Sequence, residues 1–253
     1  MILDEFNLNG KVALVTGAAG GLGQGISIGL AEAGADIVGV DYQEMPETKA
    51  QVEARGHYFL SVVADLISIE PIQGILNQVL FNLGKVDILV NTAGVGRRAD
   101  ALEVTEKDWD DVMNLNVKTV FFLSQAVAKQ FIKQGTGGKI INITSIHAFN
   151  GGFQVSPLTA GKSGAIGITR VLANEWAKYN ININGIAPGY IATESTSWLR
   201  TDEHRNTEIL NRIPTGRWGT ADDIQGAAVF LASNASNYIN GYTIAVDGGW
   251  LAR

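Results

Sequence analysis

The run Lys11-Val12-Ala13-Leu14-Val15-Thr16-Gly17-Ala18-Ala19-Gly20-Gly21-Leu22-Gly23 decides how this chain is read. Lys11–Thr16 is a continuous apolar strand signal, the pattern of a strand covered on both faces. Glycines follow, then a helical pattern from Gly21 to about Gly34. Glycines at a strand-to-helix connection permit a tight turn and let backbone approach a pyrophosphate, which then sits at the positive end of the helix. The spacing is G-x-x-x-G-x-G, a relative of the G-x-G-x-x-G fingerprint. Any tight strand–helix connection also uses glycine, so the neighbouring residues carry the weight. Asp41 ends the second strand pattern, 18 residues beyond Gly23. A carboxylate there accepts hydrogen bonds from both adenosine ribose hydroxyls and repels a 2′-phosphate, so NAD is expected rather than NADP.

Outward from that turn, short β-branched runs alternate with helical patterns. Further strands are expected at Asp36–Val40, Tyr58–Ala64, Val86–Val90, Lys139–Ile143, Ile183–Ala187 and Tyr242–Val246. Helices are expected at about Glu47–Arg55, Ile69–Leu83, Thr105–Gln134, Thr159–Tyr179 and Ala221–Ser233. This alternation predicts an α/β fold: a Rossmann-type, doubly wound parallel sheet of about seven strands, in one domain over residues 1–253. Tyr190–Thr220 shows no clear period. It follows a strand's carboxyl end, where such sheets bind ligands, and is expected to form a substrate lid (190–220).

The hydrophobic fraction of 46% in 253 residues suffices for a sizeable core, and no linker-like tract divides it. A net charge of −6 argues against nucleic acid as a partner. There are no cysteines, which excludes disulfides, thiolate metal sites and cysteine nucleophiles; no metal site is expected. The first residues lack a signal-peptide pattern and no apolar run is long enough to span a bilayer, so a cytoplasmic protein with no membrane partner is expected.

Several motifs, in this order, resemble the short-chain dehydrogenase/reductase family: Thr16–Gly23, Asn91-Thr92-Ala93-Gly94, Asn114-Leu115-Asn116-Val117, Asn142-Ile143-Thr144-Ser145, Lys162, Pro188-Gly189 and Val246-Asp247-Gly248-Gly249. The resemblance spans nearly the whole chain. It assigns the dinucleotide to Gly17, Gly21, Leu22, Gly23 and Asp41. It adds Asp65 and Leu66 after the third strand, then Asn91, Ala93 and Gly94 after the fourth, and finally Lys162, Pro188, Gly189, Ile191 and Thr193. Likeness over Glu106–Asn116, Ala173–Lys178, Ile213–Gly219 and Asn240–Arg253 is to members that act on deoxy keto-sugar acids. It implies an NAD-dependent oxidoreductase of carbohydrate metabolism, as in pectin degradation, working as a homotetramer.

In this family a tyrosine takes the substrate hydroxyl proton as hydride leaves, and a lysine one helical turn later lowers the tyrosine pKa and binds ribose. A serine bonds the reacting oxygen, and an asparagine anchors a water relay. The resemblance places these roles on Lys162, Ser145 and Asn116. The tyrosine position, four residues before Lys162 and 13 after Ser145, holds Leu158. Leucine neither donates nor accepts a proton, and loss of a positioned acid–base costs about 10²–10⁴ in rate. Three accounts follow: an intact scaffold with impaired turnover, a proton path rerouted through His147 or Tyr190, and a non-catalytic dinucleotide-binding homologue. For the substrate carboxylate, Arg97 and Arg98 are the first candidates because an arginine fork matches a carboxylate, and Arg217 is a third. His147 and Gln154 are expected to line the same cleft.

Overall fold

A computed structural model describes all 253 residues. Val12–Thr16 forms β1, buried along its whole length. It lies inside a seven-stranded, all-parallel sheet with β2 (Asp36–Asp41), β3 (Phe59–Val63), β4 (Ile88–Asn91), β5 (Gly138–Ile143), β6 (Ile181–Pro188) and β7 (Thr243–Val246). The strand order is β3-β2-β1-β4-β5-β6-β7. The order therefore reverses between β1 and β4, and the carboxyl ends of these two strands open the crevice in which such sheets bind ligands.

Strand residues alternate between two cores, as a period of two requires. Ala13 and Val15 join Ile26, Leu30, Ile224 and Ala228 on one face; Val12 and Leu14 join Ile75, Val79, Leu123 and Phe131 on the other. The first face is covered by α1 (Gly21–Glu32) and a late helix at Asp222–Ala232. Short α2 (Pro46–Glu53) follows β2, and α3 (Ile72–Leu83) joins the second face.

Three expectations change. The long helix expected over 105–134 is α4 (Glu106–Met113) and α5 (Val120–Gln134), joined by a six-residue π-helical segment at Asn114–Thr119. Such wide turns recur at functional sites, and this one holds Asn116. After the short α6 (His147–Asn150), α7 runs over Ser156–Trp176 and so starts earlier than its apolar period shows. Pro157 sits in its first turn, where the missing N–H has no helical partner to lose. Finally, Tyr190–Thr220 contains α8 (Ser197–Thr201) and α9 (Glu203–Arg212). Alpha-helical period was invisible there because α9 buries only Ile209. The helix Asp222–Ala232 is α10. No helix is long and apolar enough to cross a membrane.

Candidate functional site

The turn between β1 and α1 is shaped by contact with the end of β4. Gly17 has a φ of +68°, and a Cβ there would stand 3.0 Å from the Ala93 backbone. Gly23 is stricter: its Cβ would meet the Gly17 carbonyl oxygen, so only glycine lets the helix start this close to the strand. Thr16 ties the two strand ends together, its Oγ1 accepting from the Thr92 and Ala93 backbone N–H groups at 3.0 Å each. Gly21 lies beneath Thr193, whose Cγ2 would be 3.5 Å from an added Cβ. The loop after β6 therefore comes over the glycine turn. Leu22 turns its side chain to the core.

Asp41 is buried at the end of β2, and its Oδ2 accepts from the Ala19 N–H at 3.0 Å. Its Oδ1 is buried with no hydrogen-bond partner, and so is Thr92 Oγ1. An unpaired buried acceptor is costly unless a ligand supplies donors. Two such atoms beside an α1 N-terminus with an approachable backbone fit a dinucleotide: ribose hydroxyls on Asp41 and pyrophosphate on the helix end.

Other residues assigned to the cofactor have partners inside the protein. Asp65 forms a turn by accepting from Ile67 N–H at 2.9 Å, and the Leu66 side chain is in the core. Asn91 is buried, donating to Asn142 at 2.8 Å and to Ser124 at 3.1 Å. Ile191 packs on the first core and bridges to Gly219. Gly189 is held against Asp247, whose Cα a Cβ would meet at 2.6 Å. The Pro188 carbonyl accepts from Ile146 N–H at 3.2 Å, fixing the loop that carries Ser145.

Behind the turn, Lys162 Nζ donates to the Ile143 carbonyl at 2.7 Å. Desolvation of its ammonium pushes its pKa down to about 8. Gly94 passes between this lysine and Asn116; a Cβ would lie 3.2 Å from Lys162 Nζ and 3.1 Å from Asn116 Oδ1. Both side-chain atoms of Asn116 pair with Val95, accepting from its N–H and donating to its carbonyl at 2.9 Å each. The amide keeps one further N–H and one further lone pair beyond these two bonds.

In front of Lys162 opens a cavity of about 880 Å³ lined by Ser145, His147, Leu158, Tyr190 and residues of α8 and α9. Leu158 and Lys162 stand four apart on α7 and share a helix face. Ser145 Oγ accepts from the His147 N–H at 3.1 Å. His147 Nδ1 is 2.9 Å from the Gly151 carbonyl; Nδ1 therefore carries the proton in the neutral ring, and Nε2 is left as the free nitrogen. Tyr190 packs edge-on against His147 and Trp218 and tilts over Trp250 at 4.7 Å. Burial pushes its phenol pKa up, with opposing pulls from Arg205, Arg212 and Arg98.

The arginine candidates separate. Arg97 lines the cavity but is taken by Asp108 at 3.4 Å and Asp111 at 3.3 Å on α4. Arg217 is outside it, with NH1 and NH2 on the two Asp223 oxygens at 2.7 and 2.8 Å. Arg98 is in the cavity wall, and Gln154 stands behind it, accepting from Arg98 Nε at 2.9 Å. Gln154 does this from a left-handed backbone, φ 60°. Sequence reasoning missed Arg205, Arg212, Trp198 and Trp250. The available signal was arginine at i and i+7 in Glu203–Arg212, once that stretch is taken as a helix.

A dinucleotide cradle at the β1–β4 crevice, with serine and lysine beside an open cavity, defines a nicotinamide-dependent oxidoreductase scaffold, and the chain belongs to the short-chain dehydrogenase/reductase family. A family profile described as enoyl-(acyl carrier protein) reductase matches residues 17–251. The chain is 63% identical over 253 residues, the full length of both, to the 2-dehydro-3-deoxy-D-gluconate 5-dehydrogenase of Dickeya dadantii. It is 62% identical, again over both full lengths, to that of Escherichia coli. The crystal structure of a gluconate 5-dehydrogenase from Burkholderia cenocepacia in complex with NADP and tartrate matches with a TM-score of 0.95 at 38% identity, covering 100% of both chains.

Proposed function

We propose that this chain is an NAD(H)-binding oxidoreductase of sugar-acid breakdown, taking a deoxy keto-sugar acid of the kind named for its relatives, with proton transfer impaired at Leu158. One observation carries the reading: Leu158 stands one turn before Lys162 and shares a cavity with Ser145. On this reading Ser145, Lys162 and the glycine turn keep their dehydrogenase roles, and a hydrocarbon stands at the proton-transfer position.

Bound nicotinamide supplies hydride exchange. The Gly17–Gly23 backbone and the α1 N-terminus would hold the pyrophosphate. Asp41 Oδ1 accepts from the adenosine ribose, and its charge disfavours a 2′-phosphate, which supports NAD even though a solved relative holds NADP. Lys162, charged below about pH 8, would donate to the other ribose, and Ser145 would donate to the reacting oxygen. Asn116 acts by position, securing Gly94 and Val95 in front of Lys162. Residues 190–220 close the cavity as a lid. No side chain at position 158 moves the proton.

Titration with NAD, followed by steady-state turnover of the deoxy keto-sugar acid, tests this. The expected result is ordinary NAD affinity with turnover slowed about 10²–10⁴-fold against the Dickeya relative. Fast turnover by the unaltered chain overturns it. A rate that His147→Ala abolishes would instead support a proton path through His147 Nε2, the free ring nitrogen. Binding with no turnover on any sugar acid would mark a non-catalytic homologue.

A homotetramer in the cytoplasm, within pectin degradation, belongs to the same proposal. Self-association is supported by the apolar groove between α5 and α7, which is lined by Phe121, Ile132, Val171 and Trp176. A second copy of the chain would cover it, and sedimentation of the purified protein tests this.

A further inference from the structure

Arg205, Glu208, Ile209 and Arg212 stand at i, i+3, i+4 and i+7 of α9, so one face of the helix presents all four to the cavity. Ile209 and Ile213 pack with Ile146 and Trp250 in a small core of their own, which holds that face in place. Arg98, on the loop after β4, lines the same cavity.

The charges in this cavity do not balance. Glu208 pairs with Arg205 at 3.0 Å, whereas Arg98 and Arg212 enter no ion pair. Each of these two is seated on an indole instead: Arg98 4.6 Å from the Trp198 ring centroid, Arg212 4.0 Å from that of Trp250. Stacking restrains a guanidinium without consuming its in-plane donors. Arg205 Nε is buried with no partner. A chain of net charge −6 therefore keeps an excess of positive charge, with unspent donors, at this one cavity. All three guanidiniums line the same cavity as the Tyr190 phenol.

We propose that Arg98, Arg205 and Arg212 form a carboxylate-binding subsite. Arg205 and Arg212 are its specificity-determining residues, admitting an anionic hydroxy or keto acid and rejecting the neutral sugar of the same length. The proposal rests on the sugar-acid reading above, yet it concerns binding and is independent of turnover.

The test is calorimetric titration of the NAD-saturated protein with D-gluconate, tartrate and D-glucose. Gluconate is expected to bind at least about 10-fold more tightly than glucose. Arg205→Met and Arg212→Met should each weaken gluconate about 10- to 100-fold, leaving NAD affinity, thermal stability and glucose binding unchanged. Arg212→Lys, which keeps the charge and loses the fork, should recover part of the loss. Lys133→Gln, removing an exposed cation on α5, should change nothing. Equal gluconate affinity in parent and arginine variants overturns the subsite, as does parallel loss of glucose binding. Tartrate bound through Arg205 and Arg212 without gluconate binding would uphold the subsite while sinking the sugar-acid reading. No anion binding by the parent would refute the subsite itself.

Discussion

Replacing Leu158 by tyrosine sets a phenol one helical turn before Lys162, at the mouth of a cavity that already holds Ser145. Leu158 is half-buried and lines the open cavity, and Gly96 beside it has no side chain, so the cavity offers the room. Residues four apart on a helix bring side chains within about 5–6 Å. A phenolate and an ammonium about 5 Å apart attract by about 3 kcal/mol at an effective dielectric constant near 20. Lys162 therefore draws the phenol pKa down toward working pH. A positioned acid–base is worth about 10²–10⁴ in rate, or about 2.7–5.4 kcal/mol of barrier. The assay is the initial rate of nicotinamide reduction or oxidation with the deoxy keto-sugar acid, for the parent, Leu158→Tyr and Leu158→Phe. Only the tyrosine should gain, because phenylalanine restores the ring without the proton. In the oxidising direction its rate should rise with pH until the phenol is ionised. Equal gains from phenylalanine would show that packing was at fault. No gain from tyrosine, with NAD still bound, would refute the reasoning outright.

Three further outcomes are expected. Asp41→Asn removes the charge beside Ala19, so NAD should bind about 10-fold more weakly and NADP no worse or better, as read by titration of both. Lys162 is held to about 8 in the folded protein, below its ordinary value. Between those two values the unfolded chain keeps a proton that the native chain releases, so this group's contribution to stability rises with pH. Lys162→Met should accordingly raise the melting temperature at pH 7, with the advantage over the parent shrinking from pH 8 upward; a gap independent of pH contradicts the burial argument. Ile209→Ala empties part of the small core under α9, at about 2–5 kcal/mol. Hydrogen exchange should speed in α9 and not in the sheet, and gluconate affinity should fall with it.

The strands were legible because a sheet covered on both faces leaves uninterrupted apolar runs such as Val12–Val15 and Ile88–Val90. The helices within residues 190–220 were not. With only Ile209 buried, α9 leaves no apolar stripe, and its order comes from Trp250 and Ile146, which lie far away in the chain. The π-helical turn at Asn114–Thr119 was equally hidden, since one extra residue in a helix does not alter composition. Assigning substrate contacts by closeness to the sheet picked Arg97 along with Arg98, yet Asp108 and Asp111 take the first and Trp198 seats the second.

The sequence by itself determined the doubly wound sheet, the glycine turn with its acidic partner Asp41, and the absence of an ionisable group at position 158. These are local or periodic properties, and a side chain's chemistry is the same wherever the chain takes it. Tertiary structure alone decided which charges are free. Arg98, Arg205 and Arg212 come from segments about a hundred residues apart. Whether an arginine meets a carboxylate, an indole or an open cavity depends on which elements pack together. That is why, of the three arginines the sequence offered, Asp111 and Asp223 take Arg97 and Arg217, while Arg98 shares the cavity beside Leu158 with Arg205 and Arg212.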